Sequence, residues 1–144
     1  MVLEGYRSPD FLELRHFGDE YAGRTIYYAS ETGDGVGFFA ELGMTLIKLY
    51  FADDRGFVPY VHWGENYLYY EPEGIRGEKN AFLYYFKPVS EVQSIEHASH
   101  VVFPEESHFK QVKGLYGAVS YDVSEDYVNA MARMMKKYIQ YNDI

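Results

Sequence analysis

The stretch that decides the fold is residues 24–63, RTIYYASETGDGVGFFAELGMTLIKLYFADDRGFVPYVHW. Thr25 to Ala29 is a short run of β-branched and aromatic residues, the composition of a strand buried on at least one face. Gly33, Gly35 and Gly37 follow and permit a tight backbone turn. From Phe38 to Asp54 the apolar residues Phe39, Leu42, Leu46 and Tyr50 recur at three- and four-residue spacing, with Leu49 at the edge, which predicts an amphipathic helix. Gly43 shares that face, where its expected use is close approach of helix to sheet. Asp53-Asp54-Arg55-Gly56 ends the helix, and Phe57 to Val61 reads as a second strand, in which Pro59 marks a start or an edge. Strand, helix, strand in this order is the right-handed crossover of a parallel sheet, so the fold class is α/β.

Outward from this unit the signals are shorter. Ser8-Pro9-Asp10 carries the marks of a helix start, and Phe11, Leu12, Leu14 and Phe17 predict a short helix to about His16, with Gly18 as its stop. Asn80 is placed to cap a short helix, NAFLYYF, closed by Pro88. His100 to Phe103 reads as a strand. His97 and His100 have a spacing used in zinc sites, with Glu96, Glu105 and Glu106 near, yet no third ligand is set by spacing and ordinary strand or surface histidines fit as well. The last helix is expected over residues 124–140. Ser124 is its cap, Glu125 and Asp126 lie in the first turn, and Tyr127, Val128, Met131, Met134, Met135, Tyr138 and Ile139 form its apolar face.

The 144 residues are expected to form a single domain, large enough for a core, and 47% hydrophobic content argues against disorder. No apolar run is long enough to span a bilayer, and the N-terminal residues lack the pattern of an export signal, so the cytoplasm is the expected compartment. A net charge of −9 makes nucleic-acid binding a poor expectation, because phosphate recognition rests on clustered Lys and Arg. Sixteen tyrosines and ten phenylalanines suit an aromatic core, and equally suit a surface for carbohydrate, for a protein partner or for self-association.

Several chemistries lack an anchor. There is no serine-nucleophile elbow, Walker loop or His-Glu-x-x-His motif. The loop Glu31-Thr-Gly-Asp-Gly-Val-Gly37 has Gly-x-Gly-x-Gly in place of the dinucleotide fingerprint. Its nearest acid after the second strand, Glu65, comes about 30 residues after the first glycine, where about 20 are expected. A helix N-terminus with free amides is still expected, able to receive a phosphate, a carboxylate or a sugar hydroxyl. The tyrosine-rich segment after Trp63 lies where open α/β sheets place their ligand crevice, so Trp63, Glu65, Asn66, Tyr67, Tyr69, Tyr70 and Glu71 are polar and aromatic candidates. The same residues also suit a hairpin, Asn66 to Glu71, covering the sheet edge.

The order strand, Gly-x-Gly-Phe-Phe-Ala-Glu-Leu, apolar helix, Ala-Asp-Asp-Arg-Gly-Phe-Val-Pro-Tyr-Val-His-Trp, tyrosine-rich loop and Asn-Ala-Phe-Leu-Tyr-Tyr-Phe-Lys-Pro-Val resembles the N-terminal half of fucosyltransferase-like glycosyltransferases over about residues 24 to 90. These include protein O-fucosyltransferases and the nodulation fucosyltransferase. The resemblance implies a Rossmann-like three-layer domain with a mainly parallel sheet, one half of a GT-B architecture, with helix 124–140 leading to a second domain. It implies inverting transfer from a nucleotide sugar such as GDP-fucose to a glycan or other hydroxyl acceptor, without a metal. The donor would be held chiefly by the second half through a His-x-Arg-Gly-x-Asp motif, which this chain lacks, so this domain would be inactive alone. Gly35, Val36, Gly37 and Phe38 would stand near the donor sugar, and Trp63, Asn66, Tyr69 and Tyr70 toward the acceptor. Relatives often carry Asn after the glycines, where Phe38 stands here. Glu41 and Glu65 are the acids to test as general base for the acceptor hydroxyl. The alternative expectation is a non-catalytic α/β module that binds glycan or protein through its tyrosine-rich loop.

Overall fold

Ile26–Ser30 alternates its side chains between two apolar surroundings, and that alternation sets the layers of the molecule. Tyr27 and Ala29 join a large core with the helices, while Ile26 and Tyr28 face a smaller cluster built on Val92, Ala98 and Val101. The computed structural model describes residues 12–33, 35–104 and 125–142. Within these, the strands are β1 (Leu12–Arg15), β2 (Ile26–Ser30), β3 (Val58–His62) and β4 (Val101–Pro104), and the helices are α1 (Phe38–Arg55) and α2 (Glu125–Tyr138). A short 3-10 helix covers Ala81–Tyr84.

The sheet order is β1-β4-β2-β3. β2 is parallel to both β3 and β4, whereas β1 runs antiparallel to β4, so the sheet is mixed and the class is α/β. α1 lies on β2 and β3 and contacts α2; the opposite sheet face is covered by the irregular segment around Val92, Ile95 and Ala98. Among the described residues no helix is long and apolar enough to cross a membrane.

The crossover unit forms as its pattern predicts, with a different rotation of its helix. The buried face of α1 includes Glu41, Leu42, Thr45, Lys48, Leu49 and Ala52, while Phe39 is 83% exposed. A side chain added at Gly43 would meet nothing within 4 Å, so that glycine is not a close-approach site. The sheet on one side and α2 on another widen the buried arc beyond the stripe that apolar spacing marks. Gly56 ends the helix at φ 73°, donating to the carbonyls of Ala52 and Asp53.

Three expectations change. Within the predicted first helix, residues 12–15 form a strand and His16 follows it, because Leu12 and Leu14 alternate with Glu13 and Arg15 and β4 supplies a ladder; Ser8-Pro9-Asp10 lie outside the described residues. Residues 64–71 form successive turns closed by Tyr67 N–H to Gly64 O (2.9 Å) and Tyr70 N–H to Tyr67 O (3.1 Å), with no hairpin ladder. On α2, Ala130, Met131 and Met134 are buried, but Val128 and Met135 are exposed; Ser124 lies outside the described residues. Asn80 caps as expected, its Oδ1 accepting from Phe82 N–H at 3.1 Å.

Candidate functional site

Ser30 and His62 stand side by side at the C-terminal ends of β2 and β3, and the chain leaves them through residues 31–37 and 63–71. These two loops touch. The Glu31 carboxylate accepts from Asn66 N–H at 3.0 Å, and a side chain at Gly33 would come within 3.5 Å of Asn66 Cβ. Gly33 and Gly35 both hold positive φ, 77° and 69°, a region that favours glycine.

Beneath the first loop lies a polar stripe of α1. Glu41, Thr45 and Lys48 fall four and three residues apart, which keeps them on one face. Glu41 is fully buried, and both carboxylate oxygens accept from Thr32 N–H, at 3.0 and 2.9 Å. Oε1 also receives Gly33 N–H at 3.5 Å. Thus two amides of the glycine loop are aimed inward at a protein carboxylate instead of outward at an anion. Lys48, also buried, donates from Nζ to Ser30 O at 2.8 Å. Burial lowers the Lys48 ammonium to about 8, against the opposing attraction of Glu41 and Glu31. Thr45 Oγ1 accepts from the indole N–H of Trp63 at 3.1 Å. Thr32 Oγ1 has no hydrogen-bond partner among the described residues.

The predicted site residues therefore separate into two groups. Glu41 and Trp63 are interior: Trp63 has no exposed surface, and its main-chain N–H donates to Asn80 Oδ1 at 3.0 Å. A ring in that position has no face to offer a ligand. Phe38 is partly buried among Tyr85, Phe86 and Trp63, with centroids 4.9, 6.0 and 6.3 Å away. Tyr70 and Val36 are partly buried, whereas Gly35, Glu65, Asn66 and Tyr69 are exposed. Rings in successive contact link Phe39 through Phe38, Tyr85 and Tyr67 to Tyr69, so the two exposed aromatics, Phe39 and Tyr69, belong to one array. The Tyr67 and Tyr85 hydroxyls are hydrogen-bonded at 3.1 Å, and burial pushes the Tyr67 phenol far above its ordinary range.

On the other face of the sheet end, Tyr28 OH lies 3.2 Å from His62 Nδ1, and burial raises the Tyr28 phenol to about 12. The histidines are not gathered into a ligand set. His100 meets the His16 ring edge-on at 4.7 Å, His97 is exposed, and no group of three or more His, Asp or Glu side chains among the described residues is arranged to hold a metal.

A cleft of about 530 Å³ lies elsewhere, at the free edge of β3, lined in part by Tyr60, Val61, Arg76, Glu78, Leu83 and Val92. It contains none of the site residues expected from the sequence. Lys48, Glu31 and Thr32 were also outside that expectation. The available signal for Lys48 was its position seven residues after Glu41, two turns along the same helix face. Compared with known protein families, with curated proteins and with solved structures, the chain matches none.

Proposed function

We propose that the loops after β2 and β3 form one wall of a carbohydrate-binding cleft, in the N-terminal half of a fucosyltransferase-like glycosyltransferase. The observation that carries this reading is the pairing of exposed rings, Phe39 at 83% and Tyr69 at 54%, with exposed polar Glu65 and Asn66 around the C-terminal ends of two parallel strands. Aromatic rings cover the apolar face of a sugar while polar neighbours take its hydroxyls, and open α/β sheets place ligands at this end. In this reading the sheet is the Rossmann-like core of one GT-B half, and the nucleotide-sugar donor is held mainly by a second domain, in the cytoplasm, without a metal.

Within the wall the two acids differ. Glu65 is exposed, which supports the role of general base for an acceptor hydroxyl in an inverting transfer. Glu41 is buried against Thr32 and Gly33 and shapes the loop that bears Gly35, Val36 and Gly37. A second reading, a non-catalytic glycan-binding module, is favoured by that same burial, which leaves Glu65 as the one solvent-facing member of the pair.

The test is binding of the natural full-length protein to a glycan array, followed by transfer assays with GDP-fucose and other nucleotide sugars. Phe39→Ala and Tyr69→Ala should each weaken glycan binding about tenfold, roughly 1.4 kcal/mol, with an unchanged melting temperature. Glu65→Gln should lower transfer at least about 100-fold while leaving glycan binding intact. Glycan binding that survives both aromatic substitutions sinks the wall. Binding without transfer by the full-length protein selects the non-catalytic reading.

A further inference from the structure

The cleft along β3 owes its chemistry to strand parity. Val58 donates its amide to Thr25 O at 2.8 Å, beside β2, so alternate residues of β3 turn their main-chain groups inward and those between, Pro59 and Val61, turn theirs outward. The outward carbonyls are engaged: Pro59 O accepts from Ser90 Oγ at 2.7 Å and Val61 O from Asn80 Nδ2 at 2.8 Å. Proline brings no N–H. The Val61 amide is the remaining outward donor, and it meets no hydrogen-bond acceptor among the described residues although Val61 is buried. Main-chain N–H groups of folded proteins are almost always paired, and this one belongs to a residue that lines the cleft.

Two opposite charges come from one small hairpin above it. Ile75 and Glu78 exchange both main-chain hydrogen bonds at 2.9 Å, around a two-residue turn in which Arg76 has φ 52° and Gly77 φ 79°. Asparagine or glycine is the usual occupant of the first of those positions, and an arginine held there in the left-handed region points to a use for its side chain. One guanidinium nitrogen, Nη2, donates to Tyr84 O at 2.6 Å, which fixes the group while leaving other N–H donors. Glu78 Oε1 accepts from Asn80 N–H at 3.1 Å, leaving its second oxygen. No ion pair joins Arg76 to Glu78, although both line the cleft. The rest of the lining is mixed: Leu83, Val89 and Val92 supply apolar surface, and Asn80, Gln93 and Asn142 supply polar groups.

We propose that this cleft binds a free apolar α-amino acid, its carboxylate on Arg76 and the Val61 amide, its ammonium on Glu78, and its side chain against Leu83, Val89 and Val92. A simple carboxylic acid would bring its charge beside Glu78 without compensation, and a simple amine would do so beside Arg76. A zwitterion with an apolar side chain satisfies both, and a cleft of about 530 Å³ falls within the size of small-molecule sites.

The experiment is a titration of the uniformly 15N-labelled full-length protein with L-leucine, 4-methylpentanoate and 3-methylbutylamine, followed by amide chemical shifts. Leucine should move the Val61 amide saturably, and the acid and the amine, each lacking one charge, should bind at least about tenfold more weakly. Arg76→Gln should reduce leucine to the affinity of the amine, and Glu78→Gln to that of the acid. Unchanged shifts at Ile26 and Ala29 in each variant establish that the fold is intact, and either variant alone suffices if the other fails to fold. No saturable shift at Val61, equal binding of the acid and leucine, or unchanged leucine affinity in a folded Arg76→Gln protein overturns the assignment. Tyr69→Ala lies outside this cleft and should leave leucine binding unchanged, so the outcome stands apart from that of the carbohydrate reading.

Discussion

Two regions of this protein gather charged side chains, and they treat them in opposite ways: Glu41 and Lys48 are buried, whereas Arg76 is exposed and Glu78 half-buried. At the C-terminal end of the sheet, Glu41 and Lys48 are spent on the protein's own backbone, on Thr32, Gly33 and Ser30. At the edge of β3, Arg76 and Glu78 are unpaired with each other and line a cleft together with Val61, whose amide has no acceptor among the described residues. Burial of a charged side chain is therefore not in itself the sign of a ligand site. What distinguishes the two regions is whether the hydrogen-bonding capacity of the charged groups is exhausted internally. Cutting the first should unfold the protein; cutting the second should leave the fold and remove a ligand.

The sharpest way to break that contrast is Glu41→Ala. It leaves two loop amides without their acceptor and removes the negative charge that favours the Lys48 ammonium, and the expected loss is about 4 kcal/mol in urea unfolding. A loss below about 1 kcal/mol would mean that the clasp holds nothing. Asn80→Ala should come next, at about 3 kcal/mol, because one side chain serves Trp63 N–H, Phe82 N–H and Val61 O. Chemical shifts of the cleft amides would show whether that edge carbonyl, once released, changes the cleft or only the stability.

The smallest of the three effects is a pH dependence. Lys48 falls from an ordinary value of 10.5 to about 8 in the folded protein, so the unfolded chain binds more protons between these values and stability rises with pH. Unfolding midpoints should reflect a gain of about 2 kcal/mol from pH 8 to pH 10, with little change from this group below its folded value. Above pH 10 the trend reverses, because Tyr27, Tyr28 and Tyr67 are all raised by burial and the unfolded chain then loses protons first. Lys48→Met should abolish the rise and keep the fall. A rise that persists in that variant would assign it to another group.

The crossover unit was legible because its signals are local: a β-branched run, an apolar period and a glycine stop all lie within forty residues. β1 was not, since Leu12–Arg15 becomes a strand only by pairing with Val101–Pro104 at the far end of the sequence, and Ser8-Pro9-Asp10 offers a local helix start that competes with it. The site divides along the same line. The exposed ring of Tyr69 and the exposed acid Glu65 follow from a loop after a strand. Lys48 stayed hidden because counting apolar spacing passes over a polar residue inside the buried face, and Trp63 was misplaced because aromatic character does not tell a core ring from a surface one. The cleft depends on which side of an edge strand each amide points to, and that is decided by register rather than by residue type.

Pro59 carries one more consequence. An edge strand is a template on which another chain can add itself, and such growth is the first step of ordered aggregation. A strand arriving at β3 would find Pro59 without a hydrogen to give and the carbonyls of Pro59 and Val61 already occupied by Ser90 and Asn80. Polymerisation through this side of the sheet is thus blocked by one ring and two side chains, leaving the lone Val61 amide too short a row for a neighbouring chain to follow.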